Sequence, residues 1–198
     1  MLEYLVIFGV ILQFWGNLVY AKATLKGEAK PNRVTWLLWG IVPLIAAAAA
    51  FTDGARWPAL PAFASGVGSL IVFAASFANK KTGWRLNNFD YLCGASSILA
   101  LFFWYLTKDP LVAIFLAIIS DFFSTIPTLA KAWRYPETEN ITPYITGLVN
   151  LATPFFAMKN WAPSEYAFPL YCVIMGSILL YAVARKRLVK VLFSAAKA

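Results

Sequence analysis

Residues 110–132 read PLVAIFLAIISDFFSTIPTLAKA. An apolar run of about 20 residues carries an α-helix across the hydrocarbon of a bilayer, and this run is that long, with one acid, Asp121, near its middle. It closes on Ala130-Lys131-Ala132, and the same tripeptide closes an earlier apolar run as Ala21-Lys22-Ala23. Length makes the segment a spanning helix, and the recurrent ending is the first of several matches that together point to a repeat.

The rest of the chain agrees with this stretch. Of 198 residues, 61% are hydrophobic and 13% charged, with a mean hydropathy of +0.67, whereas a water-soluble domain carries about a quarter charged residues. Seven apolar stretches follow one another, at 3–21, 33–51, 58–78, 88–106, 110–132, 141–158 and 165–184. Charge and turn formers separate them: Lys26-Gly27-Glu28, Asp53-Gly54, Lys80-Lys81-Thr82-Gly83, Lys108-Asp109-Pro110, Pro136-Glu137, and Lys159-Asn160 ahead of Pro163. The expected fold class is an all-α membrane protein of seven transmembrane helices.

The net charge of +8 raises the question of nucleic acid, but the basic residues sit in short loops between apolar runs, the pattern that orients a membrane protein. Lys22, Lys26, Lys30, Lys80, Lys81, Arg85, Lys131, Arg134, Arg185, Lys186, Arg187 and Lys190 fall in alternate loops and the tail. Arg56, Lys108 and Lys159 on the opposite side each have an acid nearby. Seven crossings with the N-terminus outside and the C-terminus cytoplasmic satisfy every loop. The first run lacks a basic residue ahead of its core and reads as a retained helix rather than a signal peptide. The expected setting is a bacterial or archaeal cytoplasmic membrane, with the lipid bilayer and a small-molecule substrate as partners and no nucleic acid.

Soluble-enzyme chemistry finds little to work with. Histidine is absent, which removes the commonest metal ligand and general base, and Cys93 and Cys172 lie in apolar runs without metal or disulfide spacing. No P-loop or nucleophile elbow occurs, and the last helix has no lysine before Arg185 to form a retinal Schiff base. Neither an enzymatic activity, nor a cofactor, nor a metal is expected. Asn140-Ile141-Thr142 matches a glycosylation sequon, but Pro143 follows it and its side is cytoplasmic.

The repeat extends beyond Ala-Lys-Ala. Val34-Thr35 with Gly40 recurs as Ile141-Thr142 with Gly147, and Pro61 with Gly68-Ser69 recurs as Pro169 with Gly176-Ser177, in the same order and at nearly constant offset. One extra helix, the fourth, separates the two units, so both enter the membrane from the same side as parallel repeats. The chain divides into a first three-helix unit at 1–79, a linker helix at 80–109, and a second unit with a basic tail at 110–198.

This 3+1+3 build, with N outside and a basic loop after the first helix of each unit, resembles the SWEET and PQ-loop superfamily of transporters over almost the whole chain. It looks like a divergent member: the family's Pro-Gln pair is represented by Pro127-Thr128 in the second unit and by Val19-Tyr20 in the first. The resemblance implies alternating access of a midplane site to either side, with Pro43, Pro127 and Pro154 as bend points. The asparagines of the sugar transporters are not evident in the third helix of either unit. The implied function is transport of a small polar solute such as a sugar, amino acid or vitamin, with proton coupling as an option. A KDEL-receptor-like, non-transporting protein on the same fold is the alternative, and homo-oligomerisation is left open.

Polar residues inside lipid-spanning helices face cavities, partners or solute paths. Gln13 and Asn17 share a face of helix one, Asp121 and Thr125 of helix five, and Thr146 and Asn150 of helix six, each pair four residues apart. Trp36 and Trp39 share a face of helix two and can stack on a planar ring. The expectation is a substrate site lined by Gln13, Asn17, Trp36, Trp39, Asp121, Thr125, Thr146 and Asn150. Asp121 is the coupling candidate, since a charged, unpaired carboxylate at that depth costs several kcal/mol. Interhelical hydrogen bonding is the competing account of the amides and hydroxyls.

Overall fold

A computed structural model of the chain describes residues 2–52, 56–78, 84–107, 110–156 and 163–195. The turn signals at Asp53-Gly54, Lys80 to Gly83, Lys108-Asp109 and Lys159-Asn160 lie outside the described residues. Lys26-Gly27-Glu28 does not, and it shows how a helix is stopped. Helix α1 (Leu2–Lys26) ends at Gly27, whose φ is 87°, a left-handed conformation that glycine adopts without steric cost. There Glu28 N–H reaches the carbonyl of Ala23 at 2.9 Å and Gly27 N–H that of Thr24 at 3.0 Å, the paired bonds of a Schellman ending. The helix therefore runs past the expected limit at residue 21 and carries Lys22 and Lys26 on its last turns.

Six further helices follow: α2 (Arg33–Thr52), α3 (Arg56–Ala78), α4 (Asn88–Leu106), α5 (Pro110–Arg134), α6 (Thr142–Ala152) and α7 (Pro163–Ala195). No strand occurs among the described residues. Helix α4 starts with a capping box, in which the Asn87 side chain accepts from Phe89 and Asp90 N–H while Asp90 accepts from Asn87 N–H. Asp90 is buried with its second oxygen accepting from Asn32 Nδ2 at 2.9 Å, while Oδ1 of that asparagine accepts from the N–H groups of Val34 and Thr35 at the start of α2. Arg33 binds the end of α3 in turn, through the Ser76 hydroxyl at 3.1 Å and the Ser76 carbonyl at 2.7 Å.

Among the described residues five helices are long and apolar enough to cross a membrane: Leu5–Lys26, Ala59–Ala78, Asn88–Leu106, Ile114–Arg134 and Tyr166–Arg185. Their outward faces carry large apolar side chains, among them Leu92 at 66% and Ile98 at 60% exposure, while Asn17 and Asn150 inside are 1% exposed. Polar residues inside and apolar ones outside reverse the order of a soluble protein and suit a bundle surrounded by lipid. The molecule is thus an all-α, membrane-embedded protein.

The other two helices do not pass the same criterion. Arg33–Ala48 in α2 is apolar but shorter, and α6 has 11 residues where one run over 141–158 was expected. Its shortening has a local cause. Pro154 has no N–H to offer the Asn150 carbonyl; that carbonyl is taken instead by the Thr153 N–H and by the Thr153 hydroxyl at 2.7 Å, and the backbone tightens into a 3-10 turn over Thr153–Phe156.

Helix α3 packs against both α1 and α2, and α7 against both α5 and α6. Between these groups α1 runs along α6 and α2 meets α5. Helix α4 lies chiefly on α5, where the buried Ser97 and Ser120 hydroxyls are 2.9 Å apart. The apolar core at one end of the bundle joins Tyr20, Trp36, Val72, Tyr144, Leu179 and Val183.

Candidate functional site

A cavity of about 470 Å³ lies where these helices converge, within the range of small-molecule sites. It gathers most of the residues that sequence reasoning singled out. Gln13 and Asn17 of α1, Trp36, Trp39 and Pro43 of α2, Asp121 and Thr125 of α5, and Asn150 of α6 all line it. Thr146 does not. It is buried between α6 and α1, over Gly16, with its hydroxyl on the Pro143 carbonyl at 3.3 Å. Pro127 also lies off the cavity, and the hydroxyl of Ser124 bonds the Asp121 carbonyl at 2.8 Å rather than the Phe123 carbonyl that the proline leaves free.

One wall is a chain of directed hydrogen bonds. Trp39 Nε1 donates to Thr125 Oγ1 at 3.1 Å, Thr125 Oγ1 donates to Asp121 Oδ2 at 3.4 Å, and the Tyr171 hydroxyl donates to the same oxygen at 3.1 Å. The chain links α2, α5 and α7 through one carboxylate. Tyr171 went unread in the sequence, although a tyrosine inside an apolar helix generally has a polar partner for its hydroxyl.

The opposite wall is unfinished. Asn150 Nδ2 reaches the Pro61 carbonyl at 3.3 Å, but Asn150 Oδ1, both polar atoms of Asn17 and the Trp36 indole N–H are buried without a protein partner. Buried polar atoms are nearly always satisfied; Asn17 packs against Gly68 and Asn150 against Gly9, so these amides sit at helix contacts beside the cavity.

Beyond Trp36 and Tyr144 the cavity ends on a cluster that the sequence did not announce. Lys131 and Glu139, 1% and 0% exposed at their side chains, form an ion pair. Lys131 also donates to the Lys30 carbonyl, and Glu139 Oε2 accepts from the hydroxyls of Tyr20 at 2.6 Å and Tyr144 at 2.7 Å. Lys30 N–H bonds the Thr138 carbonyl at 2.9 Å, so the loops before α2 and α6 are joined to each other. Tyr20 stacks at a tilt on Trp36, centroids 4.8 Å apart. These contacts form a buried barrier between the cavity and that end of the molecule. The sequon residue Asn140 lies beside it and serves locally, accepting from Thr142 N–H at 2.9 Å.

Among the described residues no group of His, Cys, Asp and Glu is placed to hold a metal ion. No family model matches the chain, and neither does a curated protein or a solved structure.

Proposed function

We propose that this protein moves a small polar solute across a bacterial or archaeal cytoplasmic membrane by exposing the cavity first to one side and then to the other. The observation that carries the reading is the cavity itself: a chamber inside an apolar bundle, lined by one carboxylate with amide and indole side chains, and closed at one end by a buried ion pair. In this reading the chain is a SWEET-like 3+1+3 arrangement with N outside and C cytoplasmic, and not an enzyme. The packing supports it, because the main contacts within and between the two groups correspond, α1 with α3 as α5 with α7, α2 with α3 as α6 with α7, and α1 with α6 as α5 with α2, while α4 sits on the second group's side through α5.

Two of the seven proposed crossings would be made by the less regular helices. The 11 residues of α6 rise only about 16 Å at about 1.5 Å per residue, and among the described residues the crossing continues as the tighter 3-10 turn over Thr153–Phe156. Such backbone is tolerated at membrane depth where it lines a cavity, and broken helices are a feature of transporter sites. Pro43, Pro127 and Pro154 would be the bend points. The KDEL-receptor-like alternative requires free cations inside the bundle, and the buried Lys131 is already paired with Glu139.

The test is uptake or counterflow in proteoliposomes against a panel of sugars, amino acids, vitamins and amines. Saturable movement of one class is expected, and its pH dependence should vanish in Asp121→Asn while exchange survives. No movement of any class rejects the reading. Orientation is tested with single cysteines at Glu28 and Glu137 in a Cys93→Ser, Cys172→Ser background, Gly27 being unsuitable for a side chain at its φ of 87°. Both should resist an impermeant thiol reagent in intact cells, and labelling from outside would reverse the topology.

A further inference from the structure

The cavity carries a single charge. Of the described residues lining it, Asp121 is the one acid, and no lysine or arginine is among them. Lys131 is beyond Tyr144 and fully engaged by Glu139 and the Lys30 carbonyl. A charged carboxylate in such surroundings needs a positive partner. No described lining residue supplies one, so the partner must arrive as a proton or as part of the ligand.

The surroundings of Asp121 favour one kind of cation. The side-chain hydrogen bonds it receives among the described residues, from Thr125 and Tyr171, both fall on Oδ2, which leaves Oδ1 for a ligand. Trp39 is fixed beside it through Thr125, Phe168 lies 6.2 Å from Tyr171 between ring centroids, and Trp104 lines the same space. Aromatic faces around a carboxylate attract weakly hydrated organic cations, in which both the charge and the apolar body gain. A small hydrated metal ion would leave most of this lining unused. On the α1 wall the amide of Gln13 lines the same space and can meet a neutral polar group of the ligand.

The geometry points to an organic monocation as the ligand of this cavity: an ammonium, free or alkylated, on an apolar body of roughly aromatic size, with a neutral hydrogen-bonding group. An amino acid's carboxylate or a phosphate ester would meet Asp121 and no described cation. The inference rests on the transport reading and narrows it. Because ligand and proton would share one carboxylate, each expels the other, and one proton is exchanged for one cation. The titratable groups facing Asp121 are Tyr171 and Cys172, both on α7; α2 presents the neutral Trp39, and the α4 lining, Leu101 and Trp104, is also neutral.

Equilibrium dialysis of the purified full chain in detergent decides the matter, with benzyltrimethylammonium, phenethylamine, benzyl alcohol and benzenesulfonate as probes. At least one amine should bind saturably at one per chain, more tightly as pH rises, while the sulfonate does not bind. Asp121→Asn should weaken the amine by about tenfold or more, as expected for loss of a close charge partner, and flatten its pH dependence. Equal binding of the sulfonate, amine binding indifferent to Asp121→Asn, or no saturable amine binding overturns the inference. If the variant does not fold, amine against sulfonate on the unmodified chain still decides. Amine binding without flux in proteoliposomes would sink the transport reading and leave the ligand class standing. Flux of a sugar or amino acid without amine binding would do the reverse.

Discussion

Two seams join the helices around the cavity, and they are built in opposite ways. Helix α1 meets α6 through glycine: a Cβ added at Gly16 would fall 1.9 Å from Thr146 Oγ1, and one at Gly9 would fall 2.9 Å from Thr153 Cγ2. Helix α2 meets α5 through the indole of Trp39, held off by its bond to Thr125. Trp39 and Thr146 occupy matching places in the sequence repeat, one residue before Gly40 and Gly147, and Gly16 and Thr125 each stand five residues ahead of Ala-Lys-Ala. One seam thus pairs threonine with glycine and the other pairs tryptophan with threonine. A repeat preserves where backbones go and leaves volume to individual residues. Here the difference draws one seam tight and spaces the other, with Trp39 at the cavity wall and its counterpart Thr146 away from it.

The sharpest divergence between matching places is in the Ala-Lys-Ala motifs themselves. Lys22 is exposed, whereas Lys131 is 2% exposed and paired. Removing one member of a buried pair strands the other charge, so Lys131→Met should cost about 3–5 kcal/mol, and Lys22→Met under about 0.5 kcal/mol. Thermal unfolding in detergent compares them; equal losses would erase the distinction. Lys131→Met with Glu139→Gln should recover part of the loss.

A smaller effect tests the tight seam. Gly16→Ala should cost about 1–3 kcal/mol through overpacking, and Thr146→Gly in the same chain should restore most of it. Failure of the second change to help would mean that the two residues do not limit the approach of α1 to α6.

The smallest concerns the spaced seam. Trp39→Phe keeps most of the ring and removes the donor to Thr125, a loss of about 1 kcal/mol in the same unfolding measurement. A loss as large as that of Gly16→Ala would show that packing, rather than the hydrogen bond, holds this side.

These contrasts also show what a linear chain discloses. Long apolar runs were legible because lipid leaves few other accounts of them, and Gln13, Asn17, Asp121 and Asn150 were legible as cavity residues because amides and acids in such runs turn inward. Thr146 follows the same rule in sequence, yet its place depends on the absence of a side chain at Gly16 on another helix. The Lys131–Glu139 pair was hidden for a related reason: a basic residue at a helix end is already explained by orientation, so nothing marked Lys131 as different from Lys22. The extent of α6 turned on whether a proline near its end would be absorbed or would tighten the helix, which neighbouring contacts determine.

The stitched loops bear on timing. Lys30 N–H holds the Thr138 carbonyl, the Lys30 carbonyl holds Lys131, and Lys131 holds Glu139, which in turn holds Tyr20 and Tyr144. These contacts share their members, so loosening one exposes the next to the loss of a buried partner. In the proposed transport cycle, opening this end would therefore be a single concerted step, timed by the lifetime of one buried cluster.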